Sequence, residues 1–279
     1  MKNNNDSLGA RMKMYEQQSR SFLKRKTPVI VRLVGCHFHT VSRGFDKPFD
    51  VAIERAMKHT MLFLCSHIQG CVLGYTQSDE ITLVLVDYKN IDTSAWFDYN
   101  IQKCASVAAS MATLAFNKFF DNNMDEYGRE HIEDWDEGGT SRTLSPDERV
   151  SLKIAETYYK AYQKGAMFDA RAFNVPKEEV CNNLLWRQND ATRNSIQMVG
   201  RAYFSDRQLY KKTTSDIQKM LIQEGIHWSN YPTKYKRGSC CIRKTDEATG
   251  RSKWVIDNEI PIFKGEGRKY INDLIFVGE

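Results

Sequence analysis

What this chain lacks narrows its class before any motif is read. Nowhere in its 279 residues is there an apolar stretch of the ~18 or more that a membrane-spanning helix needs. Met1 to Arg11 is polar and has no apolar core, unlike a secretory signal. No two cysteines stand at zinc-ribbon spacing. Cys36, Cys65, Cys71, Cys104, Cys181, Cys240 and Cys241 are odd in number and scattered, the usage of buried thiols in a reducing cytoplasm. Cys36-His37-Phe38-His39 has metal-ligand residue types, yet no second Cys/His pair lies nearby in sequence to complete four ligands. Internal repeats and low-complexity tracts are missing too. Net charge is small: 40 basic against 35 acidic residues give +5, which permits a nucleic-acid partner without requiring one.

The remaining composition is that of a packed protein. Apolar residues are 41% of the chain, ample for a core, and the length suits one large domain or two modest ones. Residues 9–23 read as a helix. Val29 to Val34 is a β-branched run stopped at Gly35 and reads as a buried strand. Pro48 to His67 carries apolar residues at helical spacing, with Pro48 fitting a first-turn proline. Cys71 to Tyr75 and Ile81 to Val86 read as two strands joined by the polar link Thr76 to Glu80. Asp98 to Phe120 reads as a long helix and Phe168 to Val175 as a strand. Residues 121–147, polar and acidic with Gly138-Gly139 and Pro146, read as a surface loop. Helices are expected over 148–165 and Lys177 to Gly200. Residues 201–279 read as a mixed helical and strand appendage, a basic subdomain suited to RNA, after a 1–200 nucleotide-binding domain. Within it Arg237 to Lys244 is expected to pair with Lys253 to Ile260 around Thr249-Gly250.

The order strand, helix, strand, strand, helix, strand predicts an α+β fold, the split βαββαβ or ferredoxin-like arrangement. Its connections set the first strand beside the third. Gly35 and Asp79, 44 positions apart, should therefore be neighbours in space.

The chemistry-bearing residues admit two readings each. Asp79 and Glu80 sit on a hairpin turn between apolar strands. They are either solvated turn residues or carboxylates for a hard cation, since Mg²⁺ favours one or two carboxylates plus phosphate oxygens. A two-metal site would activate a hydroxyl and steady a leaving pyrophosphate, and needs carboxylates from two adjacent strands. Ser78 either caps the turn or donates to a phosphate. Lys47 is a surface charge or a phosphate contact. Lys103 and Ser110, seven apart on one helix face, are a snorkelling lysine with its neighbour or a second phosphate contact. Asp190, Arg193, Asn194 and Gln197 share a helical face, as helix support or as an RNA or nucleotide contact. Arg187 and Arg201 extend that side, and Lys236, Arg237, Arg243 and Lys244 add cations further on. Trp228, Tyr231 and Tyr235 either stack on bases or pack the last subdomain.

Taken together the motifs resemble the tRNA-His guanylyltransferase family. Arg32 to His39 is similar to that family's first motif, and Gly74 to Glu80 to its second acidic motif. Asp46-Lys47-Pro48 follows the first at the family's distance. Trp186 to Ile196 resembles the bacterial and archaeal "like" branch, and Tyr235 to Gly238 a C-terminal segment. The match spans roughly residues 8–245.

The resemblance implies a polymerase-like palm that adds nucleotides to the 5′ end of tRNA, growing it 3′ to 5′. ATP or GTP activates the 5′-monophosphate, and a second nucleoside triphosphate's 3′-hydroxyl then displaces the activating group. "Like" members repair truncated 5′ ends on the opposite strand's template and work as homotetramers. On this reading Asp79 and Glu80 are catalytic. Gly35 (through its carbonyl) and Asp79 hold Mg²⁺. Gly35, Cys36, His37, Phe38, His39, Lys47, Ser78, Lys103 and Asn194 bind nucleotide, while Arg187, Arg193, Lys236 and Arg237 bind RNA. One position departs from the family pattern: Val34 stands where the first motif has a metal-ligand Asp. That departure makes a nucleotide- or RNA-binding homologue with impaired transfer the rival reading. A palm-type oligonucleotide or cyclic-nucleotide synthase is a third.

Overall fold

A computed structural model describes residues 7–131, 145–246 and 249–277 of the chain. The elements run α1 (Leu8–Gln17), β1 (Val29–Cys36), α2 (Phe38–Val41), α3 (Val51–His67), β2 (Cys71–Gln77), β3 (Glu80–Leu85), α4 (Ile101–His131), α5 (Pro146–Lys164) and β4 (Met167–Asn174). They continue with α6 (Lys177–Tyr203), α7 (Asp206–Leu209), α8 (Thr214–Gln223), α9 (Thr233–Arg237), β5 (Ser239–Thr245), β6 (Ser252–Asp257) and α10 (Lys269–Ile275).

One antiparallel sheet runs β4-β1-β3-β2-β5-β6. Its first four strands are in the order the βαββαβ reading predicts. Strand alternation sorts β1 between two cores. Val29, Val31 and Leu33 face α3 and α4 in the larger cluster. Ile30 faces the other way, with Val180 and Leu184 of α6 and Ile271 of α10.

The structure corrects four expectations. β5 and β6 extend the palm sheet from the β2 edge, and Cys240, Ile260, Phe263 and Ile271 share a core with Ile30 and Leu73, so no break at 200/201 separates two cores. The hairpin itself forms, with Cys240 opposite Asp257 and Thr245 opposite Ser252. Helix α4 continues past Phe120 to His131 in a segment expected to loop, because Phe120, Asn123 and Met124 keep helical spacing on its buried side. There Asn123 donates to the Ala52 carbonyl, 3.1 Å. The rest of that expected loop, residues 132–144, lies outside the described residues. Helix α1 stops at Gln17, well before 23, where the chain turns extended: Phe22 bridges Asn100 and the Leu23 N–H donates to the Tyr99 carbonyl. Finally, Pro48 lies ahead of α3 rather than in its first turn, since Asp50 is the N-cap and accepts from the Ile53 N–H at 3.0 Å.

The junction of α9 and β5 depends on Gly238. Its φ is +86°, and a Cβ there would sit 2.5 Å from the Thr76 carbonyl oxygen. Gly238→Ala should therefore cost about 2–3 kcal/mol of stability, read as a lower urea midpoint with an unchanged slope.

Candidate active site

Close approach of two backbones makes the site. The Gly35 N–H at the end of β1 donates to the Asp79 carbonyl, 2.9 Å, which confirms the neighbours predicted from topology. A Cβ on Gly35 would lie 2.4 Å from the Phe38 ring and 3.2 Å from the Asp79 Cβ, so a side chain there would displace Phe38 and crowd the hairpin tip. Ser78 takes the left-handed conformation, φ +49°, in the two-residue turn. The Thr76 hydroxyl donates to the Glu80 carbonyl, 2.9 Å, pinning the turn from beneath.

Asp79 and Glu80, adjacent in sequence, have different surroundings. Burial pushes the Asp79 carboxyl above the ordinary carboxylate range; hydrogen bonds from its own N–H and from Ser78 act the other way. Glu80 is 5% exposed, and its Oε2 accepts from Arg32 Nη2 at 2.8 Å and Arg187 Nη1 at 3.0 Å. Arg187 also pairs with Asp190 at 3.4 Å. Glu80 therefore orders two guanidiniums beside the turn.

Beside Asp79 opens a cavity of about 460 Å³ between α3, α6 and α9. Phe38, His39, Lys47, Ser78, Asp79 and Asn194, all expected at a nucleotide site, line it together. Phe49 and Tyr235, stacked with ring centroids 4.5 Å apart, form part of its wall, and Arg201 and Lys234 add positive charge. The Asn194 amide donates to Asp190 at 3.5 Å, and Arg193 is ion-paired with Asp190.

Other expected residues sit elsewhere. The Cys36 thiol points to Asp169 on β4, 3.9 Å, and His37, at φ +51°, is not among the cavity's lining residues. Lys103 is not brought to the site. The start of α4 lies beside the segment leading into β1, where the Ile101 N–H donates to the Ser21 carbonyl. Thr113, ten residues on from Lys103, accepts from the N–H of Phe168, which pairs with Gly35. Lys103 does not line the cavity, and its ammonium lies 5.6 Å from the centre of the Phe97 ring. Arg187, expected to meet RNA, is 5% exposed and turned onto Glu80. Lys236 donates to the Ser229 carbonyl, and the Arg237 carbonyl accepts from the Tyr75 hydroxyl at 2.7 Å; neither lines the cavity, though Tyr235 and Gly238 on either side of them do. Trp228 donates to Ser195, and Tyr231 and Tyr235 pack on Phe49, the packing alternative. Sequence reading missed Arg32 as the partner of Glu80. The available signal was a charged residue at an inner position of an otherwise apolar strand.

The oxygens at the turn do not fit the two-metal pair that the resemblance implies. Val34 has none in its side chain, and Glu80 gives one to two arginines. Among the described residues no group of three or more His, Cys, Asp or Glu is placed to hold a metal ion. Asp79 and the Gly35 carbonyl suit at most one cation shared with a phosphate.

Sheet order, flanking helices and an acidic hairpin tip over a nucleoside-sized cavity define a palm of the polymerase type. Residues 9–176 match the tRNAHis guanylyltransferase family model, and the chain belongs to that family of nucleotidyltransferases. It is 36% identical to a bacterial tRNAHis guanylyltransferase-like protein solved with ATP, over 98% of this chain and 100% of that one, with a TM-score of 0.78. A bacterial structure of the same description with GTP is 35% identical over 98% and 100%, with a TM-score of 0.75. An uncharacterised protein of Acanthamoeba polyphaga mimivirus is 28% identical over 93% of this chain and 85% of its own length. No helix among the described residues is long and apolar enough to cross a membrane.

Proposed function

We propose that this chain binds a nucleoside triphosphate in the cavity, with its phosphates toward the Ser78–Asp79 turn, and acts on the 5′ end of tRNA. The gathering of Phe38, His39, Lys47, Ser78, Asp79 and Asn194 around one cavity carries the reading. The ATP- and GTP-bound bacterial relatives support it. The chemistry is 3′-to-5′ addition. A tRNA 5′-phosphate oxygen attacks the α-phosphorus of ATP or GTP and pyrophosphate leaves. The 3′-hydroxyl of a second triphosphate then attacks the activated 5′-phosphorus, and the activating nucleotide leaves as a monophosphate. Opposite-strand templating, homotetrameric assembly and a cytoplasmic setting belong to the same reading.

Mg²⁺ bound at the turn would supply charge neutralisation for the phosphates. The chain's own residues do the rest. Lys47 and Arg201 face the cavity as cations, the Phe49–Tyr235 pair gives a nucleoside an apolar wall, and Asn194 offers an amide. Val34 makes transfer the impaired half of the function and leaves binding intact.

Lys47→Ala should weaken ATP and GTP binding about tenfold, the effect of losing one charge-assisted hydrogen bond to phosphate. Fluorescent-nucleotide titration checks this. Unchanged affinity would place the triphosphate elsewhere.

A further inference from the structure

Trp186 is 54% exposed, unusual for an indole on a helix whose next residue, Arg187, is buried. It is nevertheless firmly held. Arg187 Cζ lies 3.6 Å from the centre of its ring and Arg32 Cζ 5.6 Å. Both guanidiniums are fixed from below by Glu80, next in sequence to Asp79. The indole is thus a rigid plate on a charged base, oriented before any ligand arrives.

Four arginines surround it, Arg32 and Arg187 paired with Glu80, Arg171 with Asp169 and Arg193 with Asp190. Arg171 pairs with Arg32 in register across β4 and β1, so the two side chains share the face on which Trp186 sits. Arg171 and Arg193 are both 61% exposed at their side chains. Trp186, Arg187, Arg32 and Glu80 do not line the cavity proposed for the triphosphate. An exposed, preorganised indole flanked by exposed arginines, beside a phosphate-handling turn, has the chemistry of single-stranded RNA binding: stacking on a base, with charge for the backbone.

We infer that Trp186 is a nucleobase platform on which an RNA base beside the reacting 5′ end stacks, outside the triphosphate cavity. The inference rests on the reading of the chain as a protein acting at an RNA 5′ end.

The test measures fluorescence anisotropy of the full chain with a 3′-fluorescein RNA hairpin bearing a 5′-monophosphate and an unpaired 3′ overhang. Trp186→Ala should weaken RNA binding roughly 5- to 150-fold, the range of ~1–3 kcal/mol lost per stacked base. Trp186→Tyr and Trp186→Phe should restore most of it, and Trp186→Leu should not. The slope of log Kd against log salt should stay unchanged, because stacking releases no counterions. Fluorescent-ATP affinity should also stay as in the native chain. If ATP does not bind the native chain at all, the proposed function fails irrespective of Trp186. RNA affinity unchanged in Trp186→Ala overturns the platform. So does equal loss in the Tyr, Phe and Leu variants with a lowered melting temperature, which makes Trp186 a prop for Arg187. So does a change in oligomer mass with RNA binding intact, which makes it a subunit contact.

Discussion

Val34→Asp is expected to raise nucleotide addition to a 5′-truncated tRNA by on the order of 10²-fold in the presence of Mg²⁺, while nucleotide affinity changes little. A carboxylate at position 34 would stand at the end of β1, next to Gly35 and across from the Asp79 turn. It would supply the second-strand oxygen that the turn lacks. Metal-centred charge stabilisation is worth several kcal/mol in a transition state, and ~3 kcal/mol corresponds to about 10²-fold in rate. The substitution has a second signature independent of turnover. Position 34 is in register with Glu80 on β3 and Asp169 on β4. A third carboxylate between them is repulsive when no cation is present. The variant should melt lower than the native chain in EDTA and regain stability with Mg²⁺, whereas the native chain should respond little. A variant that shows the Mg²⁺-dependent melting shift but no gain in addition would mean that the missing carboxylate is not what limits transfer.

Arg187→Ala should destabilise the fold by about 3 kcal/mol. The Glu80 carboxylate is buried, and its Oε1 has no hydrogen-bond partner among the described residues, so Oε2 carries the compensation through Arg32 and Arg187. Removing one partner from a buried ion pair typically costs about 3–5 kcal/mol; Arg32, still in place, holds this case to the low end. The loss also strips the support beneath Trp186. Adding Glu80→Gln should recover part of the stability, because the amide carries no charge to be stranded. Urea denaturation of the native chain, both single variants and the double variant completes the cycle. Purely additive losses would show that the Glu80–Arg187 contact stabilises nothing.

The parts of the fold legible in the sequence were those written in local pattern. The β-branched run of β1, the apolar spacing of α3 and the glycine at 35 are enough to set the strand order and to make Gly35 a neighbour of Asp79. Of the six expected nucleotide-site residues that line the cavity, Phe38, His39, Ser78 and Asp79 flank that one contact, Asn194 lies on α6 and Lys47 on the loop ahead of α3. What was not legible depended on partners far along the chain. Nothing local to Glu80 reveals Arg32, 48 positions before it, or Arg187, 107 after it. Lys103 does not line the cavity: helical spacing gives a residue's face but not which end of the helix meets a pocket. The β5–β6 hairpin was recognisable as a hairpin. Its pairing with β2, from Leu73 opposite Ile242 to Thr76 opposite Ser239, has no counterpart in either strand's own pattern.

The most direct test is a crystal structure of the native chain with a non-hydrolysable nucleoside triphosphate and Mg²⁺. The account predicts the nucleoside in the cavity of α3, α6 and α9, its phosphates at Ser78 and Asp79, and a single cation within ~2.5 Å of an Asp79 oxygen. A triphosphate bound away from this cavity, no cation at Asp79, or two cations held there despite Val34, would contradict it.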